Sequence, residues 1–269
     1  MRKLIHFFKT PKGLLTLLLV LLTAIAAPGE GAGVVVRNMG AAVLAAGIVD
    51  LIILRLRNGA WEYPGGAVLT AMIVAMVMRA QEPWMVPVVT SVVAVLSKYV
   101  IRTRHANVFN PAALALVLMF YVMPHGQSWW GALPEAPLWL RAVLLGGGLY
   151  LTSRVNKLPL VLSFLGVYFC LFTATAFLGD ARHVAGIFRS PDIDAVIYFA
   201  LIILTDPPTS PPKYQGQWVF GIITAVAGYV VFMALGAAYF LLAGVLVGNV
   251  WEAWQRVHRW RKHAPALLP

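Results

Sequence analysis

Four stretches of this 269-residue chain set polar or helix-breaking residues among apolar ones, where a membrane interior would make them costly. The first is Tyr63-Pro64-Gly65-Gly66-Ala67-Val68-Leu69-Thr70. A Pro-Gly-Gly start leaves free N–H groups at a helix N-terminus, which favour an anion or a carbonyl oxygen; it also reads as an ordinary helix start at the interface. The second is His105-Ala106-Asn107-Val108-Phe109-Asn110-Pro111-Ala112, where Asn110 before Pro111 predicts an N-cap and first turn, with plain capping as the simpler role. In the third, Thr205-Asp206-Pro207-Pro208-Thr209-Ser210-Pro211-Pro212-Lys213, hydroxyls and a carboxylate sit in a proline-stiffened re-entrant or terminal loop. The fourth is a set of acids in or near apolar runs: Asp50, Asp192 and Asp194. Asp50 precedes Arg55 and Arg57 by one to two helical turns, so pairing with them near the interface would make it structural.

From these residues we expect Thr70, Asn110, Thr205, Asp206 and Thr209 to line a central site, with Gly65, Gly66, Asn107 and Ser210 contributing. Lys98 and Arg102 are expected at its cytoplasmic mouth, placed for a phosphate or another anionic group. Other chemistries fit poorly. The single cysteine, Cys170, excludes a disulfide framework and a cysteine-based zinc or iron–sulfur site within the chain. His6, His105, His125, His183, His258 and His263 fall in expected loops or tails, away from the facing mid-depth helices that haem needs. No HExxH sequence is present, and buried acids are too few for an ion wire.

The elements that must position these residues are membrane spans. Hydrophobic residues make up 60% of the chain and charged ones 12%, about half the share of a soluble domain. Apolar runs recur at 14–27, 40–54, 66–78, 84–100, 110–123, 138–152, 158–178, 193–205, 217–234 and 237–253. The first follows Arg2, Lys3, Lys9 and Lys12 and resembles a signal peptide, but the comparable runs after it make it a first span. Runs three and eight are short and broken, third in each set of five, which is the sign of an inverted repeat. We therefore expect an all-α polytopic protein of about ten spans. It would be a single membrane domain over 1–269 with repeats at 13–123 and 138–255, half-helices at spans three and eight, and a basic interfacial helix at 251–263.

With both termini in the cytoplasm of a bacterial inner membrane, most of the 21 basic residues fall on the inner side. These include Arg55, Arg57, Lys98, Arg102, Arg104, Arg154, Lys157, Lys213, Arg256, Arg259, Arg261 and Lys262. Only Arg37, Arg79, Arg141, Arg182 and Arg189 fall outside. This dispersal explains the net charge of +11 by anionic lipid headgroups and argues against nucleic acid.

Taken in order, these motifs resemble RnfD, a membrane subunit of Rnf-type electron-transport complexes, and, more distantly, NqrB of the sodium-pumping NADH:quinone oxidoreductase. Asp50 with Leu51-Ile52-Ile53-Leu54-Arg55-Leu56-Arg57 is similar to the family's acidic residue and basic end of span two. Gly66-Ala67-Val68-Leu69-Thr70, Ser97-Lys98, Asn107-Val108-Phe109-Asn110-Pro111-Ala112 and Thr205-Asp206-Pro207-Pro208-Thr209-Ser210 resemble its later signatures, as Ala243-Gly244 to Asn249 resembles its last span.

The resemblance implies a urea-transporter-like 5+5 inverted repeat that holds flavin and passes electrons between partners, with other redox-complex subunits or further copies of the chain around it. Family members attach a flavin phosphate to a threonine between spans five and six. Residues 123–138 contain no threonine, so the expectation here is a short, divergent member with non-covalent FMN or riboflavin, or a flavin-free scaffold. Arg102-Thr103-Arg104-His105 replaces a glycine-rich loop, and Ser190-Pro191-Asp192-Ile193 replaces the opening of span eight. A reading from another class stays open: a stand-alone transporter or channel for a small solute such as a flavin or a urea-like molecule.

Overall fold

The computed structural model describes residues 10–103 and 106–263, with side chains described as far as Arg259. Arg2, Lys3, His6, Lys9, Arg104 and His105 lie outside the described residues, as do the side chains of Arg261, Lys262 and His263.

Local sequence signals account for most of the helix ends. Helix α1 (Pro11–Glu30) starts where the Thr10 hydroxyl accepts from Gly13 N at 3.1 Å, with Pro11 in the first turn. Helix α2 (Ala32–Asn58) stops at Gly59, whose φ of 70° is a left-handed conformation that suits glycine. After α3 (Gly65–Val77) and α4 (Met85–Val100), α5 (Pro111–Val122) opens on the expected cap: Asn110 Oδ1 accepts from Ala113 N at 3.1 Å.

Helix α6 (Leu138–Arg154) is followed by α7 (Leu158–Leu178) and short turns through Phe188. Helix α8 begins as an α-helix (Asp192–Tyr198) and widens into a π turn (Phe199–Ile203), in which Leu204 N reaches Phe199 O at 2.9 Å. Helices α9 (Tyr214–Leu235) and α10 (Phe240–His263) complete the chain. Among the described residues there is no strand, only isolated bridges at Met78–Gln127 and Arg102–Asn107.

Four helices, α1, α2, α7 and α9, are long and apolar enough to cross a membrane by length and composition, and α3, α4 and α5 are shorter apolar helices. The expected shortness of spans three and eight holds for α3 and α8, but α5 is as short. It ends at Met123 because the next residues turn back to cap α3. The basic stretch 251–263 is helical and forms the C-terminal part of α10, which runs unbroken from Phe240 to His263.

The packing shows why α3 and α8 differ from the rest. From Leu69 to Val77 every residue of α3 is buried, as is every residue of the π turn in α8. A short helix apolar on all sides is stable only when protein surrounds it. The longer helices instead leave apolar residues such as Ile48, Leu56 and Phe177 exposed, as a lipid-facing surface requires.

Contacts also pair up across the chain. Helix α2 packs on α4 as α7 packs on α9, and α4 packs on α5 as α9 packs on α10. Helix α1 meets α6, and α5 meets α10. Close approach along α9 depends on glycine: a Cβ on Gly221 would lie 2.8 Å from Leu160 O and 2.9 Å from Phe164 N of α7.

Candidate functional site

Both short helices end inside the protein, so their last carbonyls need partners from elsewhere. For α3 the partner is the segment after α5. Trp130 Nε1 donates to Ala75 O at 2.7 Å, and Ser128 N and Trp129 N both donate to Val77 O at 3.1 Å. Trp129 and Leu133 take left-handed backbone conformations that fold this segment inward and bury Trp130. For α8 the partner is Asn110, whose Nδ2 donates to Ile203 O at 3.3 Å. Asn110 thus caps its own helix and the end of α8 with one side chain.

Asn249 of α10 extends this junction. Its Oδ1 accepts from Asn110 N at 2.8 Å, and its Nδ2 donates to Thr209 O at 3.1 Å. The proline-rich loop after α8 is held by further donors to its carbonyls, because four prolines leave it few N–H groups of its own. Lys157 Nζ reaches Ser210 O at 3.3 Å and Pro211 O at 2.5 Å, and Arg256 Nη1 reaches Pro208 O at 2.6 Å. Arg256 is held in turn by the buried Glu252, 2.8 Å away, which also pairs with Arg259 at 2.9 Å. Lys157 lies between α6 and α7, where burial pulls its ammonium down to about 8. Asp206 accepts from the Thr209 hydroxyl at 2.9 Å within the loop, and Ser210 Oγ donates to Asp206 O at 2.8 Å.

A second cluster lies beside the start of α3. The buried Asp50 carboxylate takes Lys98 Nζ at 3.3 Å and Tyr99 OH at 2.7 Å on the same oxygen. The alternative pairing with Arg55 and Arg57 is overturned. Arg55 lies over the Trp61 ring and Arg57 over the Tyr99 ring, and neither comes within ion-pair distance of Asp50. Lys98 stands 3.7 Å from where a Cβ on Gly66 would be, so the ammonium is held at the N-terminal turn of α3. The two clusters share one end of the molecule: Lys98 feels the charges of Asp50, Lys12 and Asp206, and Asp206 those of Lys157, Arg256 and Lys12.

The expected site residues therefore divide. Gly66 and Lys98 adjoin Asp50, with Gly65 next in chain, while Asn110, Thr205, Asp206, Thr209 and Ser210 gather at the end of α8. Electrostatics links the two groups. The hydroxyls of Thr70 and Thr205 are taken by carbonyls of their own helices, Gly66 O at 2.7 Å and Leu201 O at 2.9 Å. Asn107 and Arg102 pair as a backbone bridge in the loop ahead of α5. Asn249, Lys157, Glu252 and Arg256 escaped the sequence reading as site residues. Only Asn249, an amide alone inside an apolar run, carried a signal that could have found it.

At the opposite end, around Trp130, a cavity of about 160 Å³ lies among Ile25, Glu30, Trp130, Leu133, Glu135 and Leu140. Ligand pockets usually exceed about 300 Å³, so this one is too small for a flavin ring system.

The profile of the NQR2, RnfD, RnfE family matches residues 11–136, which run from α1 to the segment that caps α3. The match includes Gly65, Gly66, Thr70, Lys98, Arg102, Asn107 and Asn110; the loop at Thr205–Ser210 lies beyond it. Relatives named as a subunit of an ion-translocating oxidoreductase complex occur in Rhodobacter capsulatus (24% identical over 224 residues, 59% of this chain and 62% of the relative) and Haemophilus influenzae (30% over 106 residues, 39% and 27%). Another of the same name, from Tolumonas auensis, is 33% identical over 103 residues, 37% of this chain and 29% of the relative. The chain thus spans less than two thirds of the length of these relatives. Residues 11–136, which carry the short helix α3 and the Asn110-Pro111 junction, are thus similar to the NQR2, RnfD, RnfE family.

Proposed function

We propose that the chain is an integral membrane subunit of a bacterial ion-translocating oxidoreductase complex, taking part in electron transfer beside other subunits. The observation that carries this reading is the buried Asp50–Lys98 ion pair beside the first turn of α3, within the stretch that matches the family. The paired packing of α1–α5 and α6–α10 supports a 5+5 inverted repeat, with that end facing the cytoplasm.

A flavin would be placed at that end. Lys98 and Arg102 would meet its phosphate, and Asp206 would accept from a ring N–H. The Thr70 and Thr205 hydroxyls donate to carbonyls of their own helices and Asn110 Nδ2 donates to Ile203 O, so toward a ligand the two hydroxyls would act as acceptors. When bound, the flavin would supply one- and two-electron chemistry; the chain's part is to orient it and to offset its charge. With no threonine between residues 123 and 138, attachment would be non-covalent.

Capture of the tagged full chain from its own membranes in a mild detergent tests the complex. Redox-carrying subunits should come with it in fixed proportion, and recovery of the chain alone would sink the proposal.

A further inference from the structure

The cavity of about 160 Å³ beside Trp130 has no part in the proposed electron-transfer role. One side of it is apolar. Ile25, Leu133 and Leu140 line it together with Trp130, which the 2.7 Å bond from Nε1 to Ala75 O holds in place. The charged groups on its lining are two carboxylates, Glu30 from the last turn of α1 and Glu135 from the segment before α6. Among the described residues neither is in an ion pair. The Glu30 carboxylate accepts from the neutral Gln81 amide at 3.2 Å, and Glu135 is exposed. Arg141 is committed elsewhere, to Ala136 O at 2.8 Å, Pro134 O at 2.6 Å and Asp194 at 3.0 Å. It also occupies the carbonyls of two lining residues, which leaves the carboxylates to meet the polar part of a ligand.

Volume and charge together select that ligand. A cavity of about 150 Å³ holds benzene, so this one has room for about six non-hydrogen atoms. Two carboxylates without a cation repel anions and attract a positive charge. A hydrated metal ion would leave Trp130, Leu133 and Leu140 without a contact. An ammonium on a short alkyl chain satisfies both sides, its head meeting the carboxylates and its chain the leucines and the indole. We propose that this cavity binds a small organic ammonium ion, taken free from solution or presented as the headgroup of an ethanolamine lipid.

The test is isothermal titration of the delipidated full chain in detergent with pentylammonium and with its neutral isostere, pentan-1-ol. Pentylammonium should bind about tenfold more tightly, and E30Q/E135Q should erase the difference while unfolding at the wild-type temperature. A Cβ on Gly29, another lining residue, would meet nothing within 4 Å, so G29L can be accommodated and should abolish binding by filling the cavity. Resupplied phosphatidylethanolamine separates the two sources. Pentylammonium binding that is lost with this lipid, and kept with phosphatidylglycerol, assigns the headgroup; binding that survives both assigns the free amine. Equal binding of the two probes by the wild type, or an unchanged preference in folded E30Q/E135Q, would overturn the proposal.

Discussion

Asp50 and Lys98, 48 residues apart in sequence, form an ion pair of 3.3 Å that ties α2 to α4 beside the first turn of α3. Both side chains are largely withdrawn from solvent, at 5% and 15% exposure, and Tyr99 completes the carboxylate's shell. Breaking one partner of such a pair leaves an uncompensated charge. D50N should therefore destabilise the protein by about 3–5 kcal/mol, read as a fall in thermal unfolding temperature in detergent. D50N/K98M, which removes both charges, should recover most of that loss; failure to recover would show that the pair does more than balance charge.

Asn249 is expected to be the most sensitive polar residue of α10. N249A removes the acceptor of Asn110 N and the donor to Thr209 O, two buried bonds at about 1–3 kcal/mol each. N249D keeps the acceptor but turns a buried carboxylate oxygen onto Thr209 O, so its unfolding temperature should fall at least as far as that of N249A.

Gly221 tests the contact between α7 and α9. In G221A the new methyl group meets the backbone at Leu160 O and Phe164 N, which cannot rotate aside, and a cost of about 2–3 kcal/mol follows. S163G removes the neighbouring hydroxyl but leaves that backbone in place, so adding it should not rescue G221A.

Lys157 gives the protein a pH dependence with a definite sign. Its folded-state value of about 8 lies below the ordinary lysine value, so between them the unfolded chain binds more protons. Stability should rise as pH increases from about 8 toward 10, and the cost of the buried charge is fully present below about 8. K157M should flatten this dependence in thermal melts across that window. It should also lower stability at pH 7, since Pro211 O loses its donor.

Signals that act between chain neighbours were legible in the sequence. Asn110-Pro111 announced a cap, and the proline, glycine and aspartate at the ends of runs three and eight announced short helices, because each acts on backbone within a turn of itself. The second duty of Asn110, on Ile203 of α8, depends on α8 and α10 arriving beside it, which no local pattern encodes. The same holds for Lys98: its place near Asp206 was expected from motif order, but its pairing with Asp50 follows from the packing of α2 on α4. The inward fold at Trp129–Leu133 was hidden because left-handed Trp and Leu residues have no sequence signature, whereas Gly59 and Gly236 do.

An electron-transfer subunit with a non-covalent flavin near Lys98 and Asp206 should be yellow when purified and should lose its colour on denaturation. The most direct measurement is the absorption and fluorescence spectrum of the detergent-purified chain before and after acid precipitation. A flavin spectrum that moves to the supernatant is expected, with less flavin retained by D206A. Folded protein without flavin, or flavin that stays in the pellet, would contradict the proposed role.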